Sequence, residues 1–226
     1  MSLEKLIKNK EKNKTHFIWN NIEVFIKDRI TNKEVSFDSV LDTIEQKVPR
    51  HLLKNVDAIY VGNFDFLNNR DVQASYENSA IFVTNDQNST QDMADDIVHE
   101  IAHSVEETYQ RYIYADGKLE KEFTLKRKQL YDVLKAEDVE VSLQTFLQTE
   151  FSKEFDEYLH LHVGYPLLDM VGSSIFYSPY AATSLREYFA NGFEALFYFG
   201  DYEFVSKACP VLFEKLNGLM EVKDDQ

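Results

Sequence analysis

The sequence predicts an α+β fold: a small mixed sheet packed on one helix that carries His99-Glu100-Ile101-Ala102-His103, followed by an all-helical C-terminal half. Three observations carry this expectation. Residues four apart lie one above the other on a helix, so His99 and His103 share one face while Met93, Ile97, Ile101 and Val105 line an apolar stripe. Ahead of this helix, short β-rich runs are separated by turn residues. Beyond it, apolar residues recur at helical spacing as far as the C-terminal region.

Composition sets the bounds. The 226 residues are 44% hydrophobic with 17 Phe and 13 Tyr, enough for a real core in one domain over 15–226. Its α/β part is expected to run to about residue 110 and its helical part over 111–226, after a basic N-terminal arm over 1–14 with five lysines against two glutamates. A formal charge of −15 excludes nucleic acid, whose phosphates need clustered Lys and Arg, and an anionic membrane surface. Cys209 stands alone, so no internal disulfide or Cys-based zinc knuckle forms, and its apolar surroundings suit a small buried hydrophobe. Neither a signal peptide nor an apolar run of about 18 residues is present, which predicts a cytoplasmic protein or one released by a non-classical route.

In chain order, the apolar and aromatic residues of 16–19 and 22–30 flank Asn20-Asn21 and read as a β-hairpin. Ser36 or Asp38 caps a helix bearing Val40, Leu41, Ile44 and Val48, which Pro49 ends. Residues 58–62 form a short buried strand, and His51 just before it reads as a surface or capping residue. Residues 72–76 and 80–84 form a hairpin across Glu77-Asn78-Ser79. The second of these strands, with Ala80 and Phe82, either accepts a substrate backbone as an added strand or is a plain core strand.

Ser89 or Thr90 then caps the motif helix, whose early Asp92, Asp95 and Asp96 suit the helix dipole. Asp116-Gly117 breaks the chain before one amphipathic helix with Leu119, Phe123, Leu130 and Leu134. A second is expected across Leu143, Phe146, Leu147, Phe151 and Phe155, closed by Gly164-Tyr165-Pro166. His160 and His162, two apart, point different ways on a helix and read as structural.

Two helical imidazoles beside a glutamate supply two of the three protein ligands of a catalytic zinc, and Glu100 flanks them. Glu187 opens a later apolar helix. Ser184, three residues earlier, offers it the alternative of a capping box. Asn191 lies one turn on, where its side-chain carbonyl can accept from the free N–H of a zinc histidine, and Glu194 reads as a surface residue.

At these residues the chain resembles the gluzincin metallopeptidases, and more closely the anthrax lethal factor-like family, which includes proline-specific bacterial endopeptidases. That family pairs HExxH with a glutamate opening a helix of the form E-x-x-A-x-x-F and with a tyrosine seven residues ahead of it. Glu187-Tyr188-Phe189-Ala190-Asn191-Gly192-Phe193 and Tyr180 fit, and the resemblance covers roughly 60–216. It implies a zincin-like fold, one zinc per chain on His99, His103 and Glu187, Glu100 as general base, and Tyr180 facing the scissile carbonyl of a protein or peptide substrate. Tyr177 is the alternative for that last place.

The 84 residues from His103 to Glu187 exceed the family's usual interval and imply a helical insertion over the site. Asn191 stands where gluzincins often carry an acid. A zincin-fold protein that binds or assembles without turnover is the competing reading, and it has no need of Glu100 or Tyr180.

Overall fold

The computed structural model describes residues 16–19 and 21–222; the basic arm over 1–14 lies outside them. The chain is α+β, and it divides into two compact units, Met1–Ser104 and Val105–Gln226.

The first unit is built on a mixed five-stranded sheet among the described residues, in the order β1-β2-β3-β5-β4. Strands β1 (His16–Ile18) and β2 (Ile22–Ile26) are antiparallel, as expected of a hairpin. β2 stops at Ile26 rather than running on to Ile30, because the amides of Lys27 and Asp28 both turn onto the carbonyl of Val61. Helix α1 (Phe37–Lys47) starts at Ser36, whose hydroxyl accepts from the amide of Ser39, and stops at Val48 just before Pro49. Strand β3 (Ala58–Val61) runs parallel to β2, and helix α2 (Asp65–Arg70) leads to β4 (Ala74–Glu77) and β5 (Ala80–Val83). Asn78 and Ser79 both take positive φ, 51° and 62°, the mirror-image turn whose twist matches a two-residue hairpin.

Burial separates the two faces of this sheet. Val24, Ile59, Ile81, Val61 and Val83 are fully buried on one. On the other, Phe25, Tyr60 and Phe82 stack across three strands with ring centroids 5.1 and 5.2 Å apart.

The register also corrects the expectation that Ala80 and Phe82 lie on a strand open to substrate. β5 is parallel to β3 on one side and antiparallel to β4 on the other, so both of its edges are taken and β4 is the outer strand.

Helix α3 (Thr90–Tyr114) carries the motif, with Ser89 accepting from the amide of Asp92 at its start. Met93, Ile97, Ile101 and Val105 are each 0% exposed, so the predicted apolar stripe is the buried one. The helix departs from helical geometry at Tyr109 (φ −112°, ψ 18°).

The second unit is helical. Gly117, at φ 67°, sets off helix α4 (Lys118–Ala136), which buries Leu119, Phe123, Leu130 and Leu134. The single helix expected across residues 143–155 is instead two short ones, α5 (Leu143–Phe146) and α6 (Lys153–Glu157). Each has its own serine cap, Ser142 and Ser152, and the stretch between them lends the carbonyl of Thr149 to the amide of Leu185. Phe146 and Phe155 are buried while Leu147 and Phe151 stay exposed.

A wide-turned segment, Tyr158–Gly164, joins α6 to α7 (Tyr165–Gly172). His160 and His162 lie exposed on it with rings against Tyr165 and Tyr158. Helix α8 (Leu185–Phe193), a second wide-turned segment Glu194–Phe199, α9 (Tyr202–Ala208) and α10 (Pro210–Met220) complete the unit. Cys209, between α9 and α10, is buried as expected, and burial raises its thiol pKa above the usual range.

Helices α8 and α10 meet where only hydrogen fits. A Cβ on Gly192 would lie 2.2 Å from Leu212 Cδ2, and Leu212 is itself 1% exposed and has nowhere to go. A Cβ on Gly218 would meet the hydroxyl of Tyr112, but that side chain is exposed and can swing aside. Gly192→Ala is therefore expected to lose about 1–3 kcal/mol in urea unfolding followed by circular dichroism, the usual cost of overpacking. Gly218→Ala is expected to stay within about 1 kcal/mol of the parent, since the gain in helix propensity offsets moving Tyr112. Equal losses at the two positions would refute this account.

Candidate metal centre

The rings of His99 and His103 stand one turn apart on α3 with centroids 4.9 Å apart and planes at 79°. Glu100 lies about 100° further round the helix than His99, and there it meets the sheet: its carboxylate accepts from the main-chain amide of Tyr76 on β4 at 2.6 Å. The residue is 8% exposed. The glutamate of the motif is thus held by the outer strand, a partner that sequence reasoning missed, since a main-chain donor leaves no trace in residue type.

Glu187 sits in the first turn of α8. Its amide donates to the hydroxyl of Ser184, so the cap predicted from their spacing is present at 3.2 Å. Its carbonyl accepts from Asn191 Nδ2 at 3.1 Å. Asn191 Oδ1 accepts from Ser178 Oγ at 2.5 Å, one of the two hydrogen bonds an amide oxygen can take. Ser178 Oγ in turn accepts from the amide of Ala181. Asn191 therefore ties the turn Tyr180–Ala182 to the start of α8. Glu194, expected at the surface, is buried, at 8% exposed, where α8 runs on into the wide-turned segment.

Three further residues act beside this turn of helix. Arg186 Nε donates to Glu106 Oε2 at 2.8 Å, and the hydroxyl of Tyr114 donates to Glu106 Oε1 at 2.7 Å. Burial and the Glu106 charge push the Tyr114 pKa well above its ordinary value. Burial by itself would lower Arg186, but its bond to Glu106 and the charges of Glu106 and Glu187 outweigh that and hold it above its ordinary value. The 80 residues between Glu106 and Arg186 hid this pair from a reading of local spacing.

Tyr180 is half-buried in its short turn, with its carbonyl accepting from both the amide and the hydroxyl of Thr183. Tyr177 packs its ring against Phe199 and Phe204, at 6.0 and 5.5 Å.

His99, His103 and Glu187 form a group that could hold a metal ion, with one ligand atom of each within 4.8 Å of the others. The donors are two imidazole nitrogens and one carboxylate oxygen, a set that a zinc ion takes with a fourth position left for water. If these residues act as ligands, elemental analysis of protein purified without added metal is expected to find about one ion per chain, and Glu187→Ala to lose it. Metal retained by Glu187→Ala at the parent's affinity would leave Glu187 as a capping residue only. No family model matches the chain, and no curated protein or solved structure matches it significantly.

Proposed function

We propose that the protein is a zinc-dependent endopeptidase of the gluzincin kind, similar to the lethal factor-like peptidases, with His99, His103 and Glu187 as metal ligands. The observation that carries this reading is the division of labour on α3. Two imidazoles lie together with a carboxylate in a group able to hold a metal ion, while Glu100 between them is bonded elsewhere, to a strand amide. A site built only to hold metal has no use for that second acid.

A zinc ion held by His99, His103 and Glu187 would supply a water with a pKa near 7 and a positive charge beside the attacked carbonyl. Glu100 would take a proton from the attacking water and pass it to the leaving amine. Its bond to the Tyr76 amide holds one carboxylate oxygen in place and leaves the other for the proton. Tyr180 donates its hydroxyl to the oxyanion. The ring contacts of Tyr177 with Phe199 and Phe204 favour Tyr180 for this role.

Glu100→Gln is expected to keep its metal and fold while peptide hydrolysis falls by about 10²–10⁴, the usual worth of a positioned general base. Tyr180→Phe is also expected to keep the metal and to lose about 10²–10³, mainly in kcat, because its hydroxyl meets charge that develops only in the transition state. Steady-state kinetics on a peptide found by library cleavage, with metal content measured alongside, is the check. Undiminished cleavage by Glu100→Gln would place the active site elsewhere, and no cleavage by the parent across a broad library would favour the non-catalytic binding reading.

A further inference from the structure

Helix α4 places two adjacent cations, Lys126 and Arg127, in the interior of the second unit, where they are 6% and 1% exposed. Among the described residues neither forms a salt bridge. Both are turned instead onto main-chain carbonyls, most of them in residues 175–183. Lys126 Nζ donates to the carbonyl of Ile175. Arg127 Nη1 donates to the carbonyl of Ala182 at 2.5 Å and that of Thr183 at 3.3 Å, and Nη2 to that of Thr145 at 3.0 Å.

The guanidinium is boxed by rings, with its carbon 4.0 Å from the centroid of Phe155, 5.3 Å from Phe146 and 5.4 Å from Phe123. Its Nε is buried with no partner. Burial without a counter-charge pushes its pKa down to about 9. An apolar residue of the same length would fill this box without the desolvation cost of a buried cation. The carbonyls explain its presence, because a buried loop has to find donors for them.

The geometry points to Arg127 as the positioning residue for Tyr180: with Lys126 at the other end, it clamps residues 175–183 and so sets where the tyrosine hydroxyl stands. The two anchor points bracket Tyr177, Ser178 and Tyr180. The Arg127 end grips Ala182 and Thr183, and Thr183 bonds back to the carbonyl of Tyr180 through both its amide and its hydroxyl. The residue after Thr183 is Ser184, the cap of α8, so the same grip fixes the start of the helix that opens on Glu187. The planar fork spreads its donors over two nitrogens and so spans the carbonyls of Thr145 and of 182–183, where a lysine offers all its donors from one atom. The inference rests on the peptidase reading only in giving the Tyr180 hydroxyl a catalytic task.

Two measurements on the zinc-loaded protein test it. The first is amide hydrogen exchange, read by mass spectrometry, in peptides covering 175–184 with α10 as the internal control. Arg127→Met is expected to speed exchange in 175–184 by roughly tenfold or more while leaving α10 unchanged, and Arg127→Lys to restore part of the protection. The second is a double-mutant cycle with Tyr180→Phe. Arg127→Met is expected to lower kcat roughly tenfold or more with KM within about threefold of the parent, and Arg127→Met combined with Tyr180→Phe to be no slower than Tyr180→Phe alone.

Exchange unchanged in 175–184, or raised equally in α10, overturns the clamp, and so do kinetic losses that simply add. Should Arg127→Met fail to fold, Arg127→Lys carries both measurements, with a smaller rise in exchange confined to 175–184 and a kcat loss that still disappears in the Tyr180→Phe background; a rise shared with α10, or losses that add, overturns the clamp. A parent without peptidase activity would sink the peptidase reading alone, and the exchange data would then decide the clamp.

Discussion

Helix α3 has to face two ways, and that constraint organises everything around the motif. Met93, Ile97 and Ile101 are wholly buried, so the rotation of the helix about its axis is set by the apolar core rather than by any ligand. With the rotation set, residues 99 and 103 come out on one line, and residue 100 comes out a third of a turn away beside β4. The placing of two ring nitrogens and one carboxylate is therefore a by-product of hydrophobic burial, which acts whether or not an ion is bound.

Opposite demands are met differently at Glu187. There the local backbone is pinned by polar side chains, with Ser184 on its amide, Asn191 on its carbonyl, and Ser178 linking Asn191 to the turn that holds Tyr180. Buried main-chain groups outside regular structure need such partners, and each hydroxyl or amide that supplies one also removes a degree of freedom. Short polar residues here do the orienting that long apolar ones do on α3.

What the sequence revealed was the chemistry that acts over a few residues. The caps at Ser36, Ser89 and Ser184, the hairpin turn at Asn78-Ser79 and the stripe of α3 all depend on neighbours within one or two turns, and all are present. Whether a strand lies inside a sheet or at its rim depends on partners far off in the chain. Ala80 and Phe82 looked available only because nothing near them states that β3 will pair with β5. The apolar spacing across 143–155 is genuine, but the hydroxyl of Ser152 caps a fresh helix and breaks the run. Lys126 and Arg127 resemble any solvated pair on an amphipathic helix, and only the aromatic box and the carbonyls brought in from 175–183 distinguish them. The same limit hid Tyr76 and Glu106, whose partners lie 24 and 80 residues away.

The bond between Glu100 and the Tyr76 amide also bears on solubility. The rim of a sheet offers unpaired amides and carbonyls to any passing strand, and two copies of one protein can zip together there. Here the outer strands β1 and β4 are only three and four residues long, and one amide of β4 is already taken by a carboxylate from within the same unit. An intruding neighbour would have to displace that charged acceptor, and the chain's net charge of −15 sets like against like as it approaches. The contact that orients Glu100 also makes the sheet a poor template for self-association.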